Sequence, residues 1–227
     1  MGFKEYPVRV GSMLYTQVDP EPGYEVDYNR WYERDHFYAG CMIGPWLFAG
    51  RRWVATRDLK DLRFPDDTPF VPNVRDGSYV AIYWIHDDHY DDHVAWATEQ
   101  VNWLYANGRG YQNRVHKHTG MYFHRGRWYR DDDPVPLELA LDKPEYTGMV
   151  SLAVQPNEGM GIDEMRLKHL GKTSMRRRVY QAASRTVTHP LLPGSRSLPG
   201  PVYRPICAGQ SARQAGRQGN MGAHLRA

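Results

Sequence analysis

The order of hydrophobic patterns along the first 136 residues constrains the fold of this chain more than any other feature. Apolar residues alternate near the N-terminus and form two denser runs later, and both patterns are typical of strands. Two other segments look helical, because one begins with acidic residues and the other repeats apolar side chains at helical spacing. The predicted strands span 9–18, 45–56, 78–85 and 114–129, and the predicted helices span 24–38 and 86–106. This order predicts an α+β fold.

The order strand, helix, strand, strand, helix, strand is also that of a ferredoxin-like βαββαβ unit, which we place at residues 1–136. A repeat follows it. The segments MLYTQVDPEPGYEVD at 13–27 and MVSLAVQPNEGMGID at 149–163 are identical at five positions, at a constant offset of 136 residues. Two alternative explanations fit this match: an internal duplication, and chance similarity between two strand-turn-helix units. A duplication predicts an incomplete second copy at residues 146–172.

Charge is divided unevenly along the chain. Residues 165–227 contain no Asp or Glu and 12 Lys or Arg, whereas residues 1–164 contain the other 17 basic residues and all 26 acidic ones. The net charge of +3 therefore combines an acidic body with a basic end. Residues 173–227 are rich in Gly, Pro, Ser and Arg, which predicts an irregular tail. Its cations would suit nucleic acid or an acidic membrane, but aromatic residues are few there, so we rank that role last. A divergent or out-of-frame end without a selected role is the other interpretation.

Several classes of protein are excluded by composition and missing motifs. The aromatic content of 13% predicts a folded core. The longest apolar run, Val80–Ile85, is too short to cross a membrane, and residues 1–15 lack the apolar core of a secretory signal, so we expect a cytoplasmic protein. Cys41 and Cys207 alone cannot build a disulfide framework or a cysteine zinc cluster. The sequence has no G-x-x-x-x-G-K-[ST], G-x-G-x-x-G or G-x-S-x-G motif, which argues against phosphoryl transfer, dinucleotide chemistry and α/β-hydrolase chemistry.

Residues 29–53 carry the motif NRWYERDHFYAGCMIGPWLFAGRRW. Trp31 and His36 are five positions apart, and a glycine then precedes an aromatic strand that contains Arg51 and Arg52. This pattern resembles the EthD-like group of dimeric α+β barrel proteins. That group usually has His-x-Pro after the helix, where this chain has Phe37-Tyr38. The resemblance is therefore partial, and it covers roughly residues 8–130.

The resemblance implies that two ferredoxin-like units join their sheets into a barrel, either as a homodimer or as tandem halves of one chain. Each unit would keep a pocket between its sheet and its helices. Related barrels include cofactor-free monooxygenases, polyketide cyclases, lactone isomerases and haem-degrading enzymes, so the fold does not fix the reaction. We expect a cofactor-free enzyme that moves a proton by histidine catalysis on an aromatic or polyketide-like metabolite. The reaction would be a cyclisation, an isomerisation or an oxygenation. A non-catalytic ligand-binding or assembly protein is the alternative.

His36 is the first candidate catalytic residue. A neutral imidazole near a pocket can accept or donate a proton close to pH 7. The structural alternative is a histidine that caps the C-terminus of its helix, where the helix dipole favours a cation. Trp31, in the same motif, is a candidate for substrate binding.

The predicted fourth strand supplies a second set of candidates. Five of its residues share one parity, and therefore one face of a regular strand: His116, His118, Tyr122, His124 and Trp128. We predict that this face lines a polar and aromatic pocket, with His118 catalytic and with His116, Tyr122 and His124 binding substrate. The alternatives are the solvated face of an edge strand and a bulge near Gly120 that breaks the parity.

The third predicted strand and the paired arginines complete the candidate site. Tyr83 and Trp84 alternate along the strand, so one faces the pocket and the other the barrel interface. Tyr83 is a candidate catalytic hydrogen-bond donor, and Trp84 a candidate for substrate binding. Arg51 and Arg52 also alternate, so at most one points inward. Arg52 is our candidate for holding an enolate or carboxylate.

Three histidines near the start of the second predicted helix have the spacing of metal ligands. His86, His89 and His93 would share one side of a helix, and the aspartates between them could add oxygen ligands. Aspartate is, however, favoured near any helix N-terminus, and His93 falls on the apolar stripe of Val101. We therefore predict no metal site.

Overall fold

The computed structural model describes residues 7–66, 71, 73–129, 135–153 and 183–184. Four strands form one open antiparallel sheet in the order β2-β3-β1-β4. They are β1 (Val10–Pro20), β2 (Leu47–Val54), β3 (Tyr79–His86) and β4 (Arg114–Phe123). The helices are α1 (Glu25–Trp31), α2 (Arg57–Asp61) and α3 (Tyr90–Ala106). The predicted α+β class is confirmed, and none of the described helices has the length and apolar character needed to cross a bilayer.

The helical segment after β1 is longer than predicted. It does not end near Tyr38, because α1 continues through two π-helical turns, Tyr32–His36 and Tyr38–Met42. Gly44 follows, where the chain turns into β2, and a Cβ on this glycine would lie 2.5 Å from the Trp96 ring. The segment is therefore held close against α3.

The second long helix begins four residues later than predicted, at Tyr90. Asp88 has a φ of 62°, which ends the strand in a left-handed turn before the helix starts. Its C-terminus agrees with the prediction, since Gly108 follows Ala106 with a φ of 71°. The late start leaves His86 on β3 rather than on the helix.

The segment predicted to be one fourth strand is two strands. After β4, residues 124–126 leave the sheet, and the two-residue strand β5 (Arg127–Trp128) pairs with β6 (Ala183–Ser184). Residues 149–153, in the predicted second copy, have no regular secondary structure. The rest of that copy, residues 154–172, lies outside the described residues, as does the predicted tail except for β6.

The sheet separates two hydrophobic clusters. The helical face carries one cluster, in which Leu14, Val18 and Tyr83 pack against the helices. The outer face carries the other, and a 3₁₀ turn at Leu137–Asp142 covers it, with Met149 beside it. Because both faces are covered, the central strand β3 is buried along nearly its whole length.

Candidate functional site

A small internal cavity lies between the helical face of the sheet and the helices. Its volume is about 30 Å³, which is room for one or two water molecules. Strands β1, β3 and β4 form one wall, and the π-helical turns and α3 form the other. The ionisable side chains in its lining are Tyr32, His36, Cys41, Tyr83, His93, Arg114 and His116. This is the one place in the described chain where candidates from the helix motif, the third strand and the fourth strand meet.

The π-helical turns decide which side chains of the motif reach this cavity. In an α-helix, Cys41 would lie nine residues after Tyr32, which is about two and a half turns. The two side chains would then point in opposite directions. The wider π-helical turns each hold an extra residue. As a result Tyr32, His36 and Cys41 all line the cavity. Unusual helical turns of this kind occur frequently at functional sites.

His36 lies in the middle of this helical segment, not at its end, so it does not cap a helix C-terminus. Its ring stacks on Trp31 with centroids 4.4 Å apart, and it meets Tyr32 edge to face. A Cβ on Gly40 would lie 2.5 Å from His36 Nδ1, so the glycine makes room for the ring. Burial holds the pKa of His36 well below its usual value, and the charge of Arg114 lowers it further. His36 is therefore neutral at pH 7.

A β-bulge separates the two histidines that sequence parity placed together. Val18 pairs with His116 and Gln17 with His118, so the extra residue Lys117 shifts the register by one. His116 consequently faces the cavity, whereas His118 lies on the outer face, with its ring 5.9 Å from that of Tyr15. The expectation of a shared face is thus wrong. The bulge lies before His118, not at Gly120, where the sequence suggested one.

Several other candidates also lie away from the cavity. Tyr122 accepts or donates a hydrogen bond with His118 on the outer face, and Trp84 belongs to the outer hydrophobic cluster. His124 follows the end of β4, where its backbone N–H bonds to Gly11. Of the pair on β3, Tyr83 faces the cavity and Trp84 the outer cluster. Trp128 belongs to β5, which lies outside the four-stranded sheet.

The hydrogen bonds around His116 favour one tautomer. Where Thr119 Oγ1 donates its proton to the His118 carbonyl at 2.9 Å, it accepts from His116 Nδ1, which lies 2.8 Å away. The neutral ring then carries its lone pair on Nε2. That atom is buried and has no hydrogen-bond partner among the described residues. Burial and the charge of Arg114 lower the pKa of His116 to about 3.

Two tyrosines and a cysteine form the floor of the cavity. The hydroxyls of Tyr32 and Tyr83 are 2.6 Å apart, and Cys41 lines the cavity with them. Burial raises the pKa of all three groups, that of Cys41 to about 12. They are protonated at neutral pH and act as hydrogen-bond donors rather than as nucleophiles.

The two paired arginines point to opposite sides of the sheet, as their alternation requires. Arg52 lies on the helical side, with its guanidinium 3.9 Å from the Tyr32 ring and bonded to Glu33 and Asn29. Arg51 lies on the outer side and donates to the Lys143 carbonyl. Arg52 therefore packs against tyrosine rings behind the cavity, but it does not line the cavity itself.

The sequence interpretation missed Arg114 and His93 as cavity residues. Arg114 shares the parity of His116, so its place at the start of β4 was a usable signal. His93 is 2% exposed, and burial alone lowers its pKa to about 4. His89 forms a hydrogen bond with Asp92. No described group of three or more His, Cys, Asp or Glu residues could hold a metal ion.

No family model matches the chain, and comparisons with curated proteins and with solved structures find no match. The cavity and its side chains are therefore the basis for inferring a function.

Proposed function

We propose that this chain is a small-molecule enzyme of the dimeric α+β barrel type, which moves a proton without a cofactor. The substrate would be an enolisable aromatic or polyketide-like compound bound between the sheet and the helices. His36 and His116 would transfer the proton, and the Tyr83 hydroxyl would donate a hydrogen bond to the substrate oxygen. His118, Tyr122, His124 and Trp84 have no part in this proposal, since they lie away from the cavity.

The observation that carries the proposal is the lone pair of His116 Nε2. It belongs to an unprotonated nitrogen that has no partner among the described residues, on a side chain that lines the cavity together with the neutral imidazole of His36. Buried polar atoms normally have partners, and exceptions in native structures often serve function. Neutral imidazoles next to protonated tyrosine hydroxyls supply both a base and hydrogen-bond donors for a developing enolate.

The strand order and the position of the cavity support the ferredoxin-like part of the proposal. In a βαββαβ unit the first and third strands are central, and here β1 and β3 occupy the middle of the sheet.

The edges β2 and β4 pair with no further strand among the described residues. Unpaired edges can accept another chain, so we extend the proposal to a homodimer. Sedimentation equilibrium should then give twice the monomer mass of 26.3 kDa, whereas a monomer would favour closure within one chain.

A cavity of about 30 Å³ is far smaller than the 300 to 1,000 Å³ of typical ligand pockets. The proposal therefore requires the π-helical wall to move outward when a substrate enters. The outer surface of this wall faces solvent, where Tyr38 is 58% and Ile43 63% exposed. A small enolisable compound should accordingly react faster than a bulky one.

Proton exchange with solvent tests the proposal without knowledge of the natural substrate. Two enolisable ketones, acetylacetone and 2-tetralone, are incubated with the full chain in D₂O, and the loss of their α-proton signals is followed by NMR. We expect the protein to accelerate exchange. His36→Gln and His116→Gln should each reduce the acceleration by about a hundredfold or more.

His89→Gln is the matched control, because this imidazole stacks on Trp46 outside the cavity. It should keep the wild-type exchange rate. No acceleration of either ketone by the wild-type chain would contradict the enzyme proposal, and ketone binding without exchange would favour the non-catalytic alternative. Circular dichroism and thermal unfolding confirm that each variant is folded before its rate is compared.

A further inference from the structure

Arg114 is a buried cation that pairs with no carboxylate in the described part of the chain. Its residue exposure is 9%. One terminal nitrogen donates to the Tyr105 hydroxyl at 2.9 Å, and the guanidinium lies 4.4 Å from the centre of the Trp31 ring. Its Nε is buried and without a hydrogen-bond partner among the described residues. Burial of a charge is unfavourable unless an opposite charge or full hydrogen bonding compensates it, so this arrangement calls for an anion.

The cavity beside Arg114 contains no such anion of its own. None of the described residues that line it is an Asp or a Glu. His116 cannot supply one, and it adds no positive charge either, because its ring is neutral and its Nδ1 proton is used by Thr119. The nearby Arg52 differs, since Glu33 and Asn29 already occupy its guanidinium. Among the described residues, Arg114 is therefore the one uncompensated charge at this end of the cavity.

We propose that Arg114 binds the anionic oxygen of an organic ligand, either a carboxylate or an enolate, through its unpartnered Nε–H. This inference rests on the proposed use of the cavity as a substrate site, and it narrows the substrate class to compounds that are anionic or become so during proton transfer. A guanidinium N–H bonded to an anionic oxygen is among the stronger hydrogen bonds in proteins. The small volume suits the oxygen end of such a ligand.

Formate and formamide are suitable probes, because they match in size and differ in charge. Each is titrated into the full chain while the histidine Cε1–H signals are recorded by NMR. The signals of His36 and His116 are assigned from their loss in the two His→Gln variants. Sodium perchlorate, whose anion accepts hydrogen bonds only weakly, keeps the ionic strength constant. A parallel titration with chloride distinguishes an oxygen anion from an inorganic ion.

We expect formate to shift both histidine signals in a saturable way. Its affinity should be at least tenfold higher than that of formamide or chloride. Arg114→Gln should remove this preference, and Arg75→Gln should keep it, because Arg75 is exposed and pairs with Asp61 and Asp66. Equal affinity for formate and formamide in the wild-type chain would overturn the proposal without any variant. So would chloride binding as tight as that of formate, or a formate preference that survives Arg114→Gln.

The formate test and the ketone test can fail independently of each other. Formate binding at Arg114 without ketone exchange would overturn the proton-transfer function and leave the anion site standing. Ketone exchange without a preference for formate would overturn the anion site and leave the enzyme proposal standing.

Discussion

The hydroxyl oxygens of Tyr32 and Tyr83 lie 2.6 Å apart in a fully buried hydrogen bond. Tyr32 belongs to the π-helical extension of α1, and Tyr83 to the central strand β3. The bond therefore joins the helical layer to the sheet at the floor of the cavity. Burial raises the pKa of both tyrosines, so both remain protonated and one donates to the other.

Removal of both hydroxyls should cost less stability than the sum of the two single removals. Tyr83→Phe leaves the buried Tyr32 hydroxyl without this partner, and we expect a loss of about 1 to 3 kcal/mol in the free energy of unfolding. The double variant Tyr32→Phe/Tyr83→Phe should lose less than the sum of the single changes, since no orphaned hydroxyl remains. Urea unfolding of the four proteins in this cycle measures the coupling.

Tyr38→Phe is the control for this cycle, because Tyr38 is 58% exposed in the same helical segment. Its effect should stay within about 0.5 kcal/mol. Strict additivity of Tyr32→Phe and Tyr83→Phe would show that the bond contributes nothing to stability.

Gly40→Ala should displace the His36 ring. Alanine favours helices over glycine by about 1 kcal/mol, but its Cβ would lie 2.5 Å from His36 Nδ1. Overpacking of this kind costs about 1 to 3 kcal/mol, so we expect a net loss of stability or no gain. The His36 Cε1–H signal should also move, which NMR detects directly.

Gly148→Ala is the comparison for Gly40→Ala, because a Cβ there meets nothing within 4 Å. It should leave both the stability and the His36 signal unchanged. A stabilised Gly40→Ala variant with an unmoved His36 signal would contradict the close packing of the two residues.

The buried histidines should make the fold sensitive to acid. Burial lowers the pKa of His93 to about 4, whereas an unfolded histidine titrates near 6.5. Between these values the unfolded chain binds a proton that the folded chain does not, so stability falls as the pH drops through this window. The slope is about 1.4 kcal/mol per pH unit for each such group.

His93→Gln should reduce this slope by about 1 kcal/mol per pH unit between pH 6 and 4.5. Urea unfolding at several pH values provides the measurement. Asn102→Gln, a neutral change at an exposed position of α3, should leave the slope as it is. An unaltered slope in His93→Gln would mean that this imidazole is not held neutral by the fold.

Cys41 should be inert while the protein is folded. Burial raises the pKa of its thiol to about 12, and only the thiolate reacts readily. A Cys207→Ser variant isolates the signal of Cys41. We expect its reaction with a disulfide reagent at pH 8 to be at least about a hundredfold slower than in guanidinium chloride. Rapid labelling of the folded variant would show that the cavity wall opens easily.

Local patterns were sufficient for most of the secondary structure. The alternation of apolar residues placed β1 to within two residues, and a dense apolar run placed β3 to within one. Gly108 marked the end of α3. The short helix α2 was missed, because its five residues lie in a segment rich in proline and polar residues. Helix α3 was started too early, since the left-handed turn at Asp88 leaves little trace in the hydrophobic pattern.

Side-chain direction was harder to predict than secondary structure. The parity rule placed His116 and His118 on one face, but one extra residue in β4 turns them to opposite faces. Likewise, α-helical spacing would place Tyr32 and Cys41 on opposite sides of the helix, whereas the π-helical turns bring both to the cavity. In both places an extra residue interrupts a regular repeat.

The sequence by itself determined the α+β class and the order of the main strands and helices. These properties depend on local periodicity and turn residues, which are read along the chain. Only the tertiary structure decided that His36, His116 and Arg114 share a cavity and that His118 does not. The register of β4 against β1 and the winding of the helix against the sheet are chosen by packing between distant segments, so no local pattern specifies them.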